Sequence, residues 1–443
     1  MRVQTPFLER LRETEIDASE VELARICARL GRAGVFLLKR VAVERYAGSS
    51  CGARNLCGFY RDFLAQPRLP GGVGVCNVLL VWKDLPEDSV LRPGFFLPLQ
   101  WHRGQNAEGV PGRLVELAGQ VSREINPKDQ WEIRFAESMS GWDLSDLEVE
   151  AGSARVTLSV SLMAAQRGTA TRGDAAVSAC WDPENHRFMG VEGLEAKLGA
   201  AAAAGCEHVF LSAGDVERAT SSAPPGIELK PLVSTGADFG RSVSELLHFM
   251  QVPPGPEAPM DRRCGYANNF PRNMRAEREG YILNNITRGR SEAVRRALSN
   301  PAACESLVVI ASSPSAALLS LLSIRPDRCR VVTTESMEKE NAIGQVIKER
   351  AEEWIPGTDL NVTTIEDPRD DAGLRRSIGS AAGDSVWVDV TGGTKGMSVR
   401  AALCAREVGA TVFHIESEGP GSHKAGTEEI VFLSDRPGTE RIR

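Results

Sequence analysis

Two lysines in this chain stand where a lysine can do chemistry. The first is Lys197, in GVEGLEAKLGAAAAAG, near the start of an alanine-rich helical segment. Its neighbours Leu194, Leu198 and Ala200 could desolvate the ammonium, and desolvation lowers a lysine pKa until the amine can serve as a general base. From the residues alone the competing reading is a lysine on a wet helix surface, where most lysines lie. The second is Lys395, in VWVDVTGGTKGM, residues 386–397. A hydrophobic run ends there and a helix-forming segment, GMSVRAALCAREVG, begins, so TGGTK is read as a strand-to-helix turn. Gly392 and Gly393 let backbone amides approach a guest closely, the Thr394 hydroxyl can donate, and Lys395 can pair with phosphate. The guest of such a turn is an anion; the alternative is a tight turn with a glycine cap and a solvated lysine. The run is too short for GxxxxGK[ST], no Ser or Thr follows Lys395, and GxGxxG is absent, which argues against both a P-loop nucleoside triphosphatase and a dinucleotide site.

The elements that must position these lysines fall into two regions. Prolines, glycines and asparagines in QVPPGPEAPMDRRCGYANNFPRN interrupt every periodic pattern, so residues 251–273 are read as a linker. Beyond it, residues 274–300 read as helical and arginine-bearing, usually the mark of a solvated face. SLVVIA, CRVVTT, LNVTTI, SVWVDV and ATVFHI then alternate with segments of helical length, and EEIVFL adds an edge strand. That pattern predicts a doubly wound, Rossmann-like parallel sheet covered on both faces, whose ligands bind beyond the carboxyl ends of its strands. Residues 60–250 predict a mixed α/β domain, with NVLLVW, RVTLSVSLMAA, DAAVSACW and EHVFLSA read as strands or buried segments and a helix ending at Gly205. Residues 1–60 yield no assignment.

Composition narrows the classes. The chain has 443 residues, 42% of them hydrophobic, and a net charge of −7, so it can build more than one core and is not a nucleic-acid coat. A charged amino-terminal stretch and a serine-rich, proline-broken apolar run at 306–324 predict neither a secretory signal nor a membrane span. Ten cysteines without paired CxxC spacing, Cys51 and Cys57 being closest, read as reduced cytoplasmic thiols, not a metal site.

DVTGGTKGM after the penultimate parallel strand resembles the signature of CARF domains, the sensor modules of type III CRISPR ancillary proteins. The resemblance covers about residues 300–435. It implies a cyclic oligoadenylate as allosteric ligand, with no other cofactor, bound across a homodimer axis, with Gly392, Gly393, Thr394 and Lys395 at ligand-contacting positions. Ser312 and Ser313 after the first strand, and Thr334 and Glu335 after the second, fit the same ligand edge.

Upstream, the order glycine, lysine-bearing helix, alanine run, glycine and apolar strand resembles the Lon protease domain. Gly193 matches a glycine of that pattern, Glu192 replaces another, and Lys197 falls on the catalytic lysine. The resemblance implies a serine some forty residues earlier at a helix start, and Ser153, in Gly152-Ser153-Ala154, lies 44 residues before Lys197. Glu150 then occupies the place of an acidic residue preceding the serine, and Ser178 that of a hydroxyl that holds the lysine. Two positions depart from the family: Gly152 stands where Pro or Asp is usual, and Arg155 where a small residue is usual. Local propensity also offers a rival, because Val156, Leu158, Val160 and Leu162 alternate as in a strand.

Together the two resemblances imply a cytoplasmic, ATP-independent serine-lysine endopeptidase of antiphage defence. A cyclic oligoadenylate would switch it on, and it would act on a protein partner encoded nearby. The alternative is a non-catalytic ligand-responsive regulator in which the arginines of 262–296 touch nucleic acid; a further one is a sensor module that degrades its own ligand.

Overall fold

The computed structural model describes the chain except for residues 1–2, 50–53, 105–107, 127, 233–238, 272–273, 299–303, 382–384, 418–423 and 434–443. The chain is mixed α/β and divides into two compact units, Met1–Val252 and Pro253–Arg443. Cys51 and the 272–273 end of the expected linker lie outside the described residues. Within that linker Met260–Asn268 is a helix, with Cys264 and Ala267 buried against Ile286 and Ala425 of the second unit.

The first unit is built around an antiparallel sheet and a parallel one. Val75–Val81, Gly94–Arg103 and Trp131–Phe135 form the antiparallel sheet, with Gly94–Arg103 central. Ala175–Ser178, His208–Ser212 and Glu228–Leu232 form the parallel sheet, with His208–Ser212 central. The first sixty residues, unassigned from sequence, are helical over Thr5–Arg12, Glu20–Leu30 and Arg40–Gly48. Their Leu8, Leu23, Leu30 and Tyr46 share one core with Leu79, Phe96 and Leu97 of the antiparallel sheet.

A helix, Ala154–Gln166, is buried on opposite sides. Ala154, Leu158 and Leu162 pack into the core of the antiparallel sheet. Val156, Val160 and Ala164 pack with Val177, Phe210 and the Phe239–Met250 helix. The two rows start two residues apart, about 200° around a helix, so alternation in sequence becomes two stripes on opposite faces. The strand-like pattern therefore records double burial, and each fully buried Leu or Val contributes about 1.5–3 kcal/mol. Thr157, Ser159 and Ser161 lie between the stripes and stay satisfied: Thr157 Oγ1 donates to Val177 O, and Ser159 and Ser161 to carbonyls of their own helix.

The second unit holds a six-stranded sheet in the order Asp359–Ile365, Arg328–Thr334, Ser306–Ile310, Val386–Asp389, Thr411–Glu416, Glu429–Phe432. The first five strands are parallel and the last is the antiparallel edge. Leu307 and Val309 face Leu318, Leu321 and Ile347, while Val308 and Ile310 face Leu374, Met397 and Ala401, so helices cover both sides. Strand order reverses between Ser306–Ile310 and Val386–Asp389, which makes the loops after these two strands the natural place for a ligand.

Candidate functional site

Lys197 owes its position to strong local signals. Its helix, Leu194–Ala203, starts from Gly193 in the left-handed region (φ 63°) and ends at Gly205, also left-handed (φ 69°). The Gly205 amide bonds Ala202 O and the Cys206 amide bonds Ala201 O, closing the end of the alanine run. Gly94 lets this helix press on the central strand: a Cβ there would stand 2.1 Å from Ala196 O. Lys197 is only 5% exposed, and burial, the dominant cause, holds its pKa below a lysine's ordinary value. The negative fields of Asp215, Glu150 and Glu192 oppose that shift without reversing it.

Ser153 caps the amino-terminal end of the Ala154–Gln166 helix, and its Oγ lies 3.2 Å from Lys197 Nζ. Trp101 Nε1 bonds Leu158 O at 3.0 Å and so ties this helix to the strand against which Lys197 packs. The two side chains meet in a cleft of about 440 Å³, lined also by Glu150, Gly152, Cys180 and Val191. The first helical amides are already used, Ala154 N–H by Ala151 O and Arg155 N–H by Gly152 O. Gly152 and Ser153 are thus the nearer source of amides for an oxyanion. Arg155, at a position where a small residue was expected, turns away to pair with Glu124 and stack over Phe239 at 5.1 Å.

Two expected supports are arranged differently. Glu150 lines the cleft but is exposed and paired with Lys83, whose hydrogen bond holds the carboxyl below its usual range. Ser178 ends the strand that receives the Thr157 hydroxyl; its Oγ is buried and has no hydrogen-bond partner among the described residues, so it does not hold Lys197. The residue that braces the lysine loop is Asp215, which the sequence reading missed. It is 1% exposed, accepts from Val191 N at 2.9 Å, and packs where a Cβ on Gly190 would stand 2.8 Å from Oδ1. Its signal was Ser212 three residues earlier, whose Oγ caps the Asp215 amide.

In the second unit, Ser312, Ser313, Gly392 and Thr391 line a pocket of about 160 Å³ at the switch point, with Arg275, Arg278 and Glu279. The turn is built from within. Asp389, fully buried, accepts from Ser320 Oγ and from the Thr391 amide and hydroxyl, and Ile415 N bonds Thr391 Oγ1 at 2.6 Å. Burial pushes the Asp389 carboxyl up, against those hydrogen bonds. Gly392 is required by packing, since a Cβ there would stand 2.5 Å from Ile310 O; on Gly393 it would stand 2.9 Å from Ser398 Oγ.

The other expected contacts serve local roles at the same sheet edge. Ser313, Thr334 and Thr394 each cap the helix that follows their strand, accepting from Ala316 N, Met337 N and Met397 N. Glu335 is exposed and pairs with Lys339, and Lys395 is exposed at its helix start. An internal anion occupies the pocket wall: Glu279 Oε1 accepts from Ser313 Oγ at 2.6 Å and Ser315 N at 2.8 Å. Several arginines of 262–296 are engaged inside the unit, Arg263, Arg278 and Arg295 on carbonyls and Arg290 on Glu428.

Among the described residues no group of His, Cys, Asp and Glu is placed to hold a metal, and no helix is long and apolar enough to cross a membrane. The nine described cysteines are free thiols. No family model and no curated protein matches the chain. Among solved structures, Can2 from Sulfobacillus thermosulfidooxidans in complex with cyclic tetra-adenylate aligns at 16% identity and a TM-score of 0.22. The match covers 26% of this chain and spans a third of that one (33%); a likeness at that TM-score carries no argument.

Proposed function

We propose that the chain is a serine-lysine endopeptidase controlled by a cyclic oligoadenylate and directed at a specific protein partner in antiphage defence. The observation that carries the proteolytic part is the 3.2 Å approach of Ser153 Oγ to a buried lysine whose pKa is lowered. A neutral Lys197 takes the Ser153 proton as Oγ attacks the scissile carbonyl, and the ammonium so formed returns it to the leaving amine. Water then attacks the acyl-serine ester by the same route in reverse, releasing the carboxylic acid and restoring Ser153. Glu150, Glu192 and Asp215 stabilise the transient ammonium by their field. Gly152 and Ser153 amides are the candidates to meet the oxyanion.

Control is assigned to the second unit because its pocket lies at the switch point and combines cap hydroxyls, a glycine turn and arginines, the chemistry a phosphodiester needs. A ligand that binds the active arrangement more tightly shifts the chain toward it, and a homodimer through this unit would present two pockets to one ring. The test is incubation of the purified chain with candidate neighbouring gene products, with and without each cyclic oligoadenylate, followed by gel analysis. Ligand-dependent fragments that vanish in Ser153→Ala support the reading; unchanged cleavage by a clean Ser153→Ala protein sinks it.

A further inference from the structure

The amino-terminal helices hold a cavity of about 870 Å³, larger than the catalytic cleft of about 440 Å³. One wall is a face of Thr5–Arg12 and the turn after it, Phe7, Arg10, Leu11 and Thr14; the other is the Val21, Glu22, Arg25, Ile26, Arg29 face of Glu20–Leu30. Both sets recur at three- and four-residue spacing, so each is one stripe of a helix. Leu11 and Ile26 form a buried apolar floor, while Val21 stays 54% exposed on the rim.

The charges of the groove are unbalanced. Arg10 and Arg25 make no ion pair or side-chain hydrogen bond among the described residues. Arg29 stacks over the Phe7 ring at 3.9 Å, and its buried Nε has no hydrogen-bond partner among the described residues. Three guanidinium groups thus face one carboxylate, Glu22, in a chain whose net charge is −7. A guanidinium held over apolar surface with unspent donors fits a carboxylate flanked by hydrocarbon. A phosphate chain would use the arginines and leave Phe7, Val21 and the floor bare.

We propose that this groove docks an acidic, amphipathic peptide segment of the protein partner, its apolar side chains on Leu11, Ile26 and Val21 and its carboxylates on Arg10, Arg25 and Arg29. The proposal rests on the reading of the chain as a protease of a specific protein. A peptidase without an unfolding motor gains selectivity by holding its partner away from the scissile bond, where binding energy need not compete with chemistry.

The experiment uses full-length Ser153→Ala protein, so that binding is read whether or not the chain cuts. A short random-peptide display library is selected on it and counter-selected on the Arg10→Glu/Arg25→Glu variant. The expected result is enrichment of sequences that mix Asp or Glu with Leu, Phe or Met, with anisotropy affinities weakened about tenfold by the double reversal and by Val21→Asp. These three positions are exposed and the variants are expected to keep the parent circular dichroism spectrum. Enriched peptides without acidic residues, or affinities that ignore both variants, overturn the proposal. So does a fluorescent single-stranded oligonucleotide that binds more tightly than the best peptide and is lost on the same reversal, which would make the groove a nucleic-acid site.

Discussion

Lys197 and Lys395 both follow glycines at the start of a helix, yet the chain gives them opposite surroundings. Lys197 is buried, close to a serine, with its charge disfavoured. Lys395 is exposed at a helix amino terminus on the rim of a sheet. What separates the two lysines is solvent, not sequence motif: withdrawal from water biases a lysine toward its neutral, proton-accepting form, and left in water it stays a point charge.

The sharpest way to break this contrast is at the buried end. Ser153→Ala and Lys197→Met are each expected to lower peptide cleavage at least about a thousandfold, with ligand affinity, read by calorimetry, unchanged. Next comes the turn that carries Lys395. Gly392→Ala forces a Cβ onto Ile310 O and is expected to cost about 1–3 kcal/mol, seen as a lower Tm, and to abolish ligand binding. Glu279→Gln removes the anion already bound at Ser313 and Ser315, so affinity for a cyclic oligoadenylate is expected to rise about tenfold, whereas Lys395→Ala lowers it by a similar factor that shrinks in high salt. A fall in affinity in Glu279→Gln would mean that the carboxylate shapes the pocket instead of filling it.

The smallest effect concerns pH. The proposed mechanism requires neutral Lys197, so kcat/KM is expected to rise with pH along a limb set below the ordinary lysine value. Glu192 raises the Lys197 pKa, and Glu192→Gln should therefore move that limb to lower pH. For stability the sign is consistent. A lysine with a lowered folded pKa binds fewer protons folded than unfolded, so its burial penalty is full below the folded value and fades as pH rises toward the unfolded one. Lys197→Met removes that penalty and is expected to raise Tm at neutral pH.

What could be read in advance was local. The alanine run with Gly205 and the alternation of apolar strands with helices after residue 305 need only neighbours a few residues away. The pairing of Ser153 with Lys197 spans 44 positions and was reached through a resemblance, since no local rule joins them. Asp215 and Glu279 escaped notice because each works on a segment far along the chain: Asp215 on Val191, Glu279 on Ser313. The alternation from Val156 to Leu162 was ambiguous for a geometric reason, as a helix gripped from two sides and a strand share that pattern.

The grip on that helix also sets a timetable. The face that carries Val156, Val160 and Ala164 is covered in part by Phe239, Val243, Leu246 and Leu247, which leave the ribosome long after Ser153. A nascent chain that has already made Ser153 and Lys197 still lacks part of the wall behind the Ala154–Gln166 helix, so that helix is fully packed only once the last helix of the unit has been made.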